Sequence, residues 1–187
     1  MILFSNDEYR WFFFNNFGYL AHIILYNEEV KKIVLLNEAD KVITQISDKN
    51  IVLVGGCFDL FHYGHLIFLD EAKKQGDFLI VALESDDFIK KYKKRVPIHQ
   101  QNQRAEILSA IDYVDVIIKL PLFTSDGDYD KLVKLIRPSV IATSFGDPLI
   151  EKKKEQAKSV KGKVKVIKKF VKNLSTRKII QILKLEL

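Results

Sequence analysis

One cysteine, one methionine and one tryptophan occur in 187 residues, and prolines number only four. Cys57, the single cysteine, excludes an intrachain disulfide and suits a reducing compartment. No apolar run approaches the roughly 20 residues that cross a bilayer. The N-terminus also lacks a basic region followed by an apolar stretch and a small-residue cleavage site. The expected location is therefore cytoplasmic, with no membrane partner. Low-complexity linkers and internal repeats are absent too, so an array or a flexible multidomain chain is excluded. What remains is 48% hydrophobic and 29% charged, the composition of a globular protein with one sizeable core.

Charge is unevenly placed. Residues 151–187 carry 13 Lys or Arg against three Glu, which makes this end strongly basic although the whole chain is only +6. Such a tail could draw nucleic acid, but its lysines alternate with apolar residues and no nucleic-acid-binding motif accompanies them. The expectation is a solvated basic face beside a phosphate-handling site, without a nucleic-acid partner.

Aromatic residues are concentrated at the other end. Nine of the 21 lie between Phe4 and Tyr26, and a cluster of that kind must be buried by packing or by a contact such as a homodimer. Residues 1–50 are expected to form a small N-terminal extension. Within it, His22–Tyr26 and Lys32–Leu36 can pair as a hairpin, and a helix can run from Glu38 to Ile46. From Ile51 onward the pattern becomes regular. Strands are expected at Ile51–Val54, Phe78–Leu83, Tyr113–Ile118, Val140–Ala142 and Val164–Ile167. Helices are expected at His65–Gln75, Asp86–Tyr92, Gln101–Ile111, Tyr129–Ile136, Ile150–Ser159 and Thr176–Leu185. Gly76 stands where a left-handed C-terminal cap belongs. Alternation of this kind predicts an α/β domain over residues 51–187, a doubly wound parallel sheet of about five strands.

Chemistry is densest from Ile51 to His65. The run Ile51–Val54 reads as a strand covered on both faces, and Gly55 and Gly56 allow a sharp turn. After Cys57, Phe58 and Asp59 come His62, Gly64 and His65 at the start of the next helical pattern. Two histidines three apart share one side of a helical turn and can converge on one anion. Gly64 removes a side chain between them, and the helix N-terminus supplies free N–H groups and partial positive charge. Zinc is the rival ligand, but no cysteine pair or glutamate motif completes a set, and no metal site is expected in the protein itself. Two structurally satisfied histidines are the plainest alternative.

The run Gly-Gly-Cys-Phe-Asp-Leu-Phe-His-Tyr-Gly-His resembles the signature of the cytidylyltransferase-like nucleotidyltransferases. That group includes heptose-phosphate adenylyltransferases, glycerol-phosphate cytidylyltransferases and archaeal FAD synthases, and the resemblance extends to about residue 182. It implies a Rossmann-like fold and three further motifs. Lys91 to Arg104 is similar to a lysine-containing loop followed by Arg-Pro and a helix-opening arginine. Pro97 and Arg104 keep the spacing, whereas Arg95 is displaced by Val96. Lys91, Lys93 and Lys94 are the candidates for contacting phosphate. Gly146 and Asp147 fit a Lys-Gly-Gly-Asp motif in which Ser144 or Phe145 replaces the lysine. Ser175, Thr176 and Arg177 fit a Ser-Thr-Thr motif that holds nucleotide phosphates at the last helix.

The resemblance implies transfer of a nucleoside monophosphate from ATP or CTP to a phosphorylated small molecule, with a sugar phosphate favoured as acceptor. His62 and His65, one of the lysines from Lys91 to Lys94 (Lys91 and Lys93 first among them), and Arg104 or Arg177 would stabilise the phosphates. Gly55, Gly56, Cys57 and Phe58 would line the nucleotide, Asp59 would orient a histidine or an amide, and Mg2+ would arrive with the triphosphate. Two alternatives stand beside this: a CTP- or FMN-directed member of the same group, and a nucleotide-binding module without turnover.

Overall fold

A computed structural model describes residues 32–168 and 175–185. The aromatic cluster and the His22–Tyr26 strand lie outside these residues. Six parallel strands form one sheet: β1 (Ile33–Leu35), β2 (Ile51–Gly56), β3 (Phe78–Leu83), β4 (Val116–Lys119), β5 (Val140–Ser144) and β6 (Lys163–Ile167). Their order is β1-β4-β3-β2-β5-β6. Helices α1 (Ala39–Gln45), α2 (Tyr63–Lys73), α3 (Asp86–Lys93), α4 (Gln101–Ser109), α5 (Asp126–Ile136), α6 (Ile150–Ser159) and α7 (Thr176–Leu185) complete the described elements.

The side-chain alternation of β2 divides the core. Ile51 and Leu53 enter one buried cluster with Ala39 and Val42 of α1, Leu132 and Val133 of α5 and Ala157 of α6. Val52 and Val54 enter the other, with Leu69 and Ala72 of α2 and Ala105 and Leu108 of α4. Both faces of the sheet are therefore covered by helices, which is why its central strands read as unbroken apolar runs.

The sixth strand is β1. It belongs to the Lys32–Leu36 segment expected in a hairpin, and its described partner is β4, in parallel register. The helix expected at Glu38–Ile46 is α1. Beginning β4 at Val116 rather than Tyr113 also has a visible cause. The Asp115 carboxylate accepts the Leu79 N–H at 2.6 Å and pairs with Lys73, so this residue tethers the strand entrance instead of extending the ladder.

Gly76 is corrected. Positive φ among the described glycines is found at Gly146 alone, so Gly76 is not a left-handed cap. A Cβ there would stand 2.4 Å from the Asn50 carbonyl oxygen and 2.8 Å from Val52 Cγ2. Close approach of backbones, not handedness, requires the glycine.

Connectivity creates the crevice. From β2 the chain steps to β3 and β4 on one side, then returns to the other side of β2 for β5 and β6. The reversal lies between β2 and β5, the position where open α/β sheets bind ligands beyond the carboxyl ends of their strands.

Candidate active site

β2 ends at Gly56, and the loop to α2 is held in an unusual conformation. Phe58 and Leu60 have φ of 48° and 54°, a left-handed region that costs a non-glycine residue about 1 kcal/mol or more. Burial of the Phe58 ring and the engagement of Asp59 between them hold that strain. The Asp59 side chain is fully buried and pairs with Arg95. Its Oδ1 also accepts the N–H groups of Ile98 at 3.1 Å and His99 at 3.0 Å. Burial alone would raise this carboxyl. The His99 amide, the Arg95 guanidinium and the Ile98 amide outweigh it and hold Asp59 below the usual range, so it is ionised. Asp59 therefore orients amides, as one of the two sequence expectations had it, and staples residues 95–99 to the signature loop.

A glycine follows from packing at one position of this turn. A Cβ on Gly56 would come within 3.0 Å of the Phe58 ring. Next to it, Gly55 leaves open space above the strand end. The Cys57 carbonyl faces Arg104, and burial pushes its thiol up to about 11, so the sulfur is protonated and no nucleophile.

α2 begins with the two histidines. His62 is the N-cap, and its Nδ1 accepts the His65 N–H at 3.3 Å. That bond assigns the proton of neutral His62 to Nε2, leaving an N–H donor on the far side of the ring. The His65 ring stacks on His62 with centroids 3.8 Å apart and lies 5.2 Å from the Phe58 ring. Burial lowers both imidazoles, and His65, which also feels His62, falls to about 3. The free site thus presents neutral imidazoles at a helix N-terminus. Gly64 occupies the same first turn, where backbone N–H groups are still unpaired.

The remaining expected residues separate by geometry. Lys93 is exposed and lies 6.0 Å from the centroid of the Phe88 ring, and its positive charge favours the ionised forms of Cys57 and Glu84. Lys91 is exposed and lies over the ring of Tyr92 at 5.2 Å. Arg104 needs correction as a phosphate contact. It is fully buried, and it donates to the carbonyls of His99 (3.0 Å), Cys57 (2.6 Å) and Glu84 (2.9 Å) and to Asp86 (2.7 Å). Those bonds lock three loops together and leave the guanidinium no open side, which makes Arg104 a positioning residue.

Beyond β5, Asp147 accepts from Thr143 Oγ1, Lys153 Nζ and the Leu149 N–H, the last at 2.9 Å. Burial would raise its carboxyl, but Lys153 and Thr143 hold it low. Asp147 therefore shapes the loop containing Gly146 (φ 76°). At α7, Ser175 Oγ accepts the Lys178 N–H at 3.2 Å, a helix cap, while Thr176 Oγ1 donates to the Asp59 carbonyl at 2.8 Å. The start of α7 is thereby docked on the signature loop, with Arg177 exposed in its first turn.

Two residues escaped sequence reading. Glu84 follows β3 and is only 6% exposed, and Tyr129 of α5 donates to its Oε1 at 2.8 Å. The available signal was a carboxylate placed directly after the apolar run Phe78–Leu83. Among the described residues, no group of three His, Cys, Asp or Glu is arranged to hold a metal ion, and no helix is long and apolar enough to cross a membrane.

A doubly wound parallel sheet with paired histidines at the helix start beside its switch point defines a Rossmann-like nucleotidyltransferase. The cytidylyltransferase-like family model matches residues 53–182, and the chain belongs to that family. Over 126 residues it is 43% identical to the FAD synthase of Pyrococcus horikoshii, a match covering 65% of this chain and 82% of that protein. The bifunctional protein HldE of Aliarcobacter butzleri is 38% identical over 129 residues, covering 68% of this chain and 25% of that protein. The chain thus spans about a quarter of that HldE protein. Among solved structures, the lipopolysaccharide core biosynthesis protein of Thermoplasma volcanium superposes with a TM-score of 0.55 at 28% identity, covering 66% of this chain and 99% of that one. Pantoate-beta-alanine ligase of Francisella tularensis, at 17% identity and a TM-score of 0.60, shares the fold.

Proposed function

We propose that this chain transfers a nucleoside monophosphate from ATP, or from CTP, to a phosphorylated small molecule, with a sugar phosphate as the favoured acceptor. A phosphate oxygen of the acceptor attacks the α-phosphorus in line. The bond from that phosphorus to the bridging oxygen breaks, and pyrophosphate leaves with the electron pair. No covalent enzyme intermediate is needed, and the protonated Cys57 thiol offers none.

The observation that carries this reading is the His62 Nδ1 bond to the His65 N–H. It leaves a neutral Nε2–H donor at the start of α2, the group proposed here to meet the α-phosphate as it gains charge during transfer. An anion bound there favours the protonated imidazole, so ligand binding draws a proton onto the pair. Lys93 and Arg177 supply further positive charge. Asp59 is committed to Arg95 and two amides, so the protein provides no carboxylate cage at this point. Mg2+ fits as the counter-ion of the incoming triphosphate, where it neutralises phosphate charge.

The 43% identity to an FAD synthase supports a second reading, in which FMN is the acceptor and ATP the donor. The resemblance of the signature run to heptose-phosphate adenylyltransferases supports the sugar phosphate. Pyrophosphate release measured with all four nucleoside triphosphates, against a panel of sugar phosphates, alditol phosphates and FMN, separates them. Release with ATP and a sugar phosphate is expected. Nucleotide binding without release for every acceptor would identify a non-catalytic module instead.

A further inference from the structure

The two edges of the sheet are guarded differently. On β6, Lys163 and Lys165 are exposed, and charge of this kind discourages a further strand from adding there. β1, Ile33-Val34-Leu35, carries no charge at all, and Leu35 is 47% exposed. Among the described residues β1 is paired on one side only, with β4. An apolar edge without charged guards is one that proteins cover.

Beside that edge lies a groove of about 200 Å³. Leu36, which follows β1, Phe123 of the loop before α5, and Leu132 and Leu135 of α5 make it apolar, and Asp128 and Lys131 complete its lining. A cavity of about 150 Å³ holds one benzene-sized ring, whereas metabolite sites span about 300–1,000 Å³. The groove therefore suits an aromatic side chain. The family model begins at residue 53, so β1 and Leu36 belong to the preceding extension and the rest of the lining to the family domain.

The chain ahead of β1 has the composition and the length to occupy both features. Residues 1–31 lie outside the described residues and reach β1 through Lys32. Because all six strands are parallel, β1 starts at the amino edge of the sheet and Leu36 stands past its carboxyl end. A chain that turns at Asn27–Glu29 and retraces β1 with His22–Tyr26 covers about 17 Å, more than the roughly 10 Å of a three-residue strand. Residues ahead of His22 then arrive level with Leu36, and among them are Trp11, Phe12, Phe13, Phe14, Phe17 and Tyr19. Covalent tethering raises their concentration at the groove far above that of any separate partner.

We propose that His22–Tyr26 pairs antiparallel with the outer edge of β1, and that an aromatic side chain of the Trp11–Tyr19 stretch fills the groove formed by Leu36, Phe123, Leu132 and Leu135. The partner of this surface is thus the chain's own N-terminal segment, which caps the unguarded edge.

Trp11 is the only tryptophan, so its emission in the full-length chain reports on this stretch alone. Acrylamide should quench it about threefold or more weakly in the native protein than in urea, as expected for a ring packed in an apolar groove. Leu135→Asp places a charge in that groove and should strengthen the quenching about twofold or more while the fold persists. If Leu135→Asp does not fold, Leu36→Asp takes its place. A fluorescent energy acceptor on Lys131→Cys should reduce Trp11 emission by about half or more, Cys57 reacting slowly because its thiol stays protonated. Emission unchanged by the acceptor overturns the proposal, as does quenching in the native chain equal to that in urea. Transfer that appears on mixing unlabelled parent with labelled chains carrying Trp11→Phe also overturns it, and assigns the groove to a second copy.

Discussion

His62 and His65 serve one another: the Nδ1 of the first caps the backbone N–H of the second at 3.3 Å, while their rings stack at 3.8 Å. One imidazole nitrogen does structural work, and the other is left as an N–H donor. His62→Asn separates the two roles, because asparagine is a good N-cap but has no Nε2–H. Stability in urea should change by about 1 kcal/mol or less. Turnover should fall by about 10²–10³-fold, the effect of removing one preorganised donor. Near-parental turnover in the folded variant would remove His62 from the chemistry.

Arg104→Lys should behave as a folding variant. Lysine cannot reproduce a planar fork that reaches Asp86 and three carbonyls at once. Breaking a buried charged network of this kind costs about 3–5 kcal/mol. Urea unfolding gives that loss directly, and nucleotide affinity per folded molecule should change far less than stability.

Thr176→Val removes the hydroxyl that ties α7 to the Asp59 carbonyl while keeping the shape of the side chain. Loosening this contact should raise the nucleotide KM severalfold, with kcat changed less, since it detaches the Ser175–Arg177 turn from the signature loop. Unchanged KM and kcat would separate α7 from the site.

Stability should depend on pH through two buried groups with opposite signs. Glu84 has a folded pKa of about 7 against an ordinary 4.5, so the folded state holds a proton that the unfolded chain has released. Its contribution is present below pH 4.5 and is lost as pH rises through 7, by up to about 3 kcal/mol. His65, at about 3 against 6.5, acts in the other direction: stability is present above pH 6.5 and is lost as pH falls toward 3. Urea midpoints for Glu84→Gln should lose the fall between pH 4.5 and 7, and those for His65→Gln the fall from pH 6.5 toward 3.

Gly76→Ala tests close approach without backbone handedness. The added Cβ would collide with the Asn50 carbonyl at 2.4 Å, and overpacking of this kind costs about 1–3 kcal/mol. A thermal melt at parental Tm would show that the strand entrance can shift to make room.

Much of the architecture was legible because it depends on local pattern. Unbroken apolar runs such as Ile51–Val54 and Phe78–Leu83 mark strands covered on both faces, and the spacing of His62, Gly64 and His65 after two glycines marks an anion site. The parallel α/β class follows from those features alone, and the expected location of the chemistry rests on them too. Partnership across the sheet does not. Asp59 meets Arg95 across 36 residues and Thr176 across 117, and Arg104 reaches carbonyls on three separate loops. The resemblance made Arg104 a candidate phosphate ligand, yet burial and bonds to three carbonyls and Asp86 made it a brace. Glu84, a single letter after a strand, gained its significance from Tyr129 on a distant helix. Residue type and spacing determined which chemistry the chain carries. Only the tertiary structure decided which charged groups remain free to perform it, because burial and hydrogen bonding between distant segments consume some and leave others exposed.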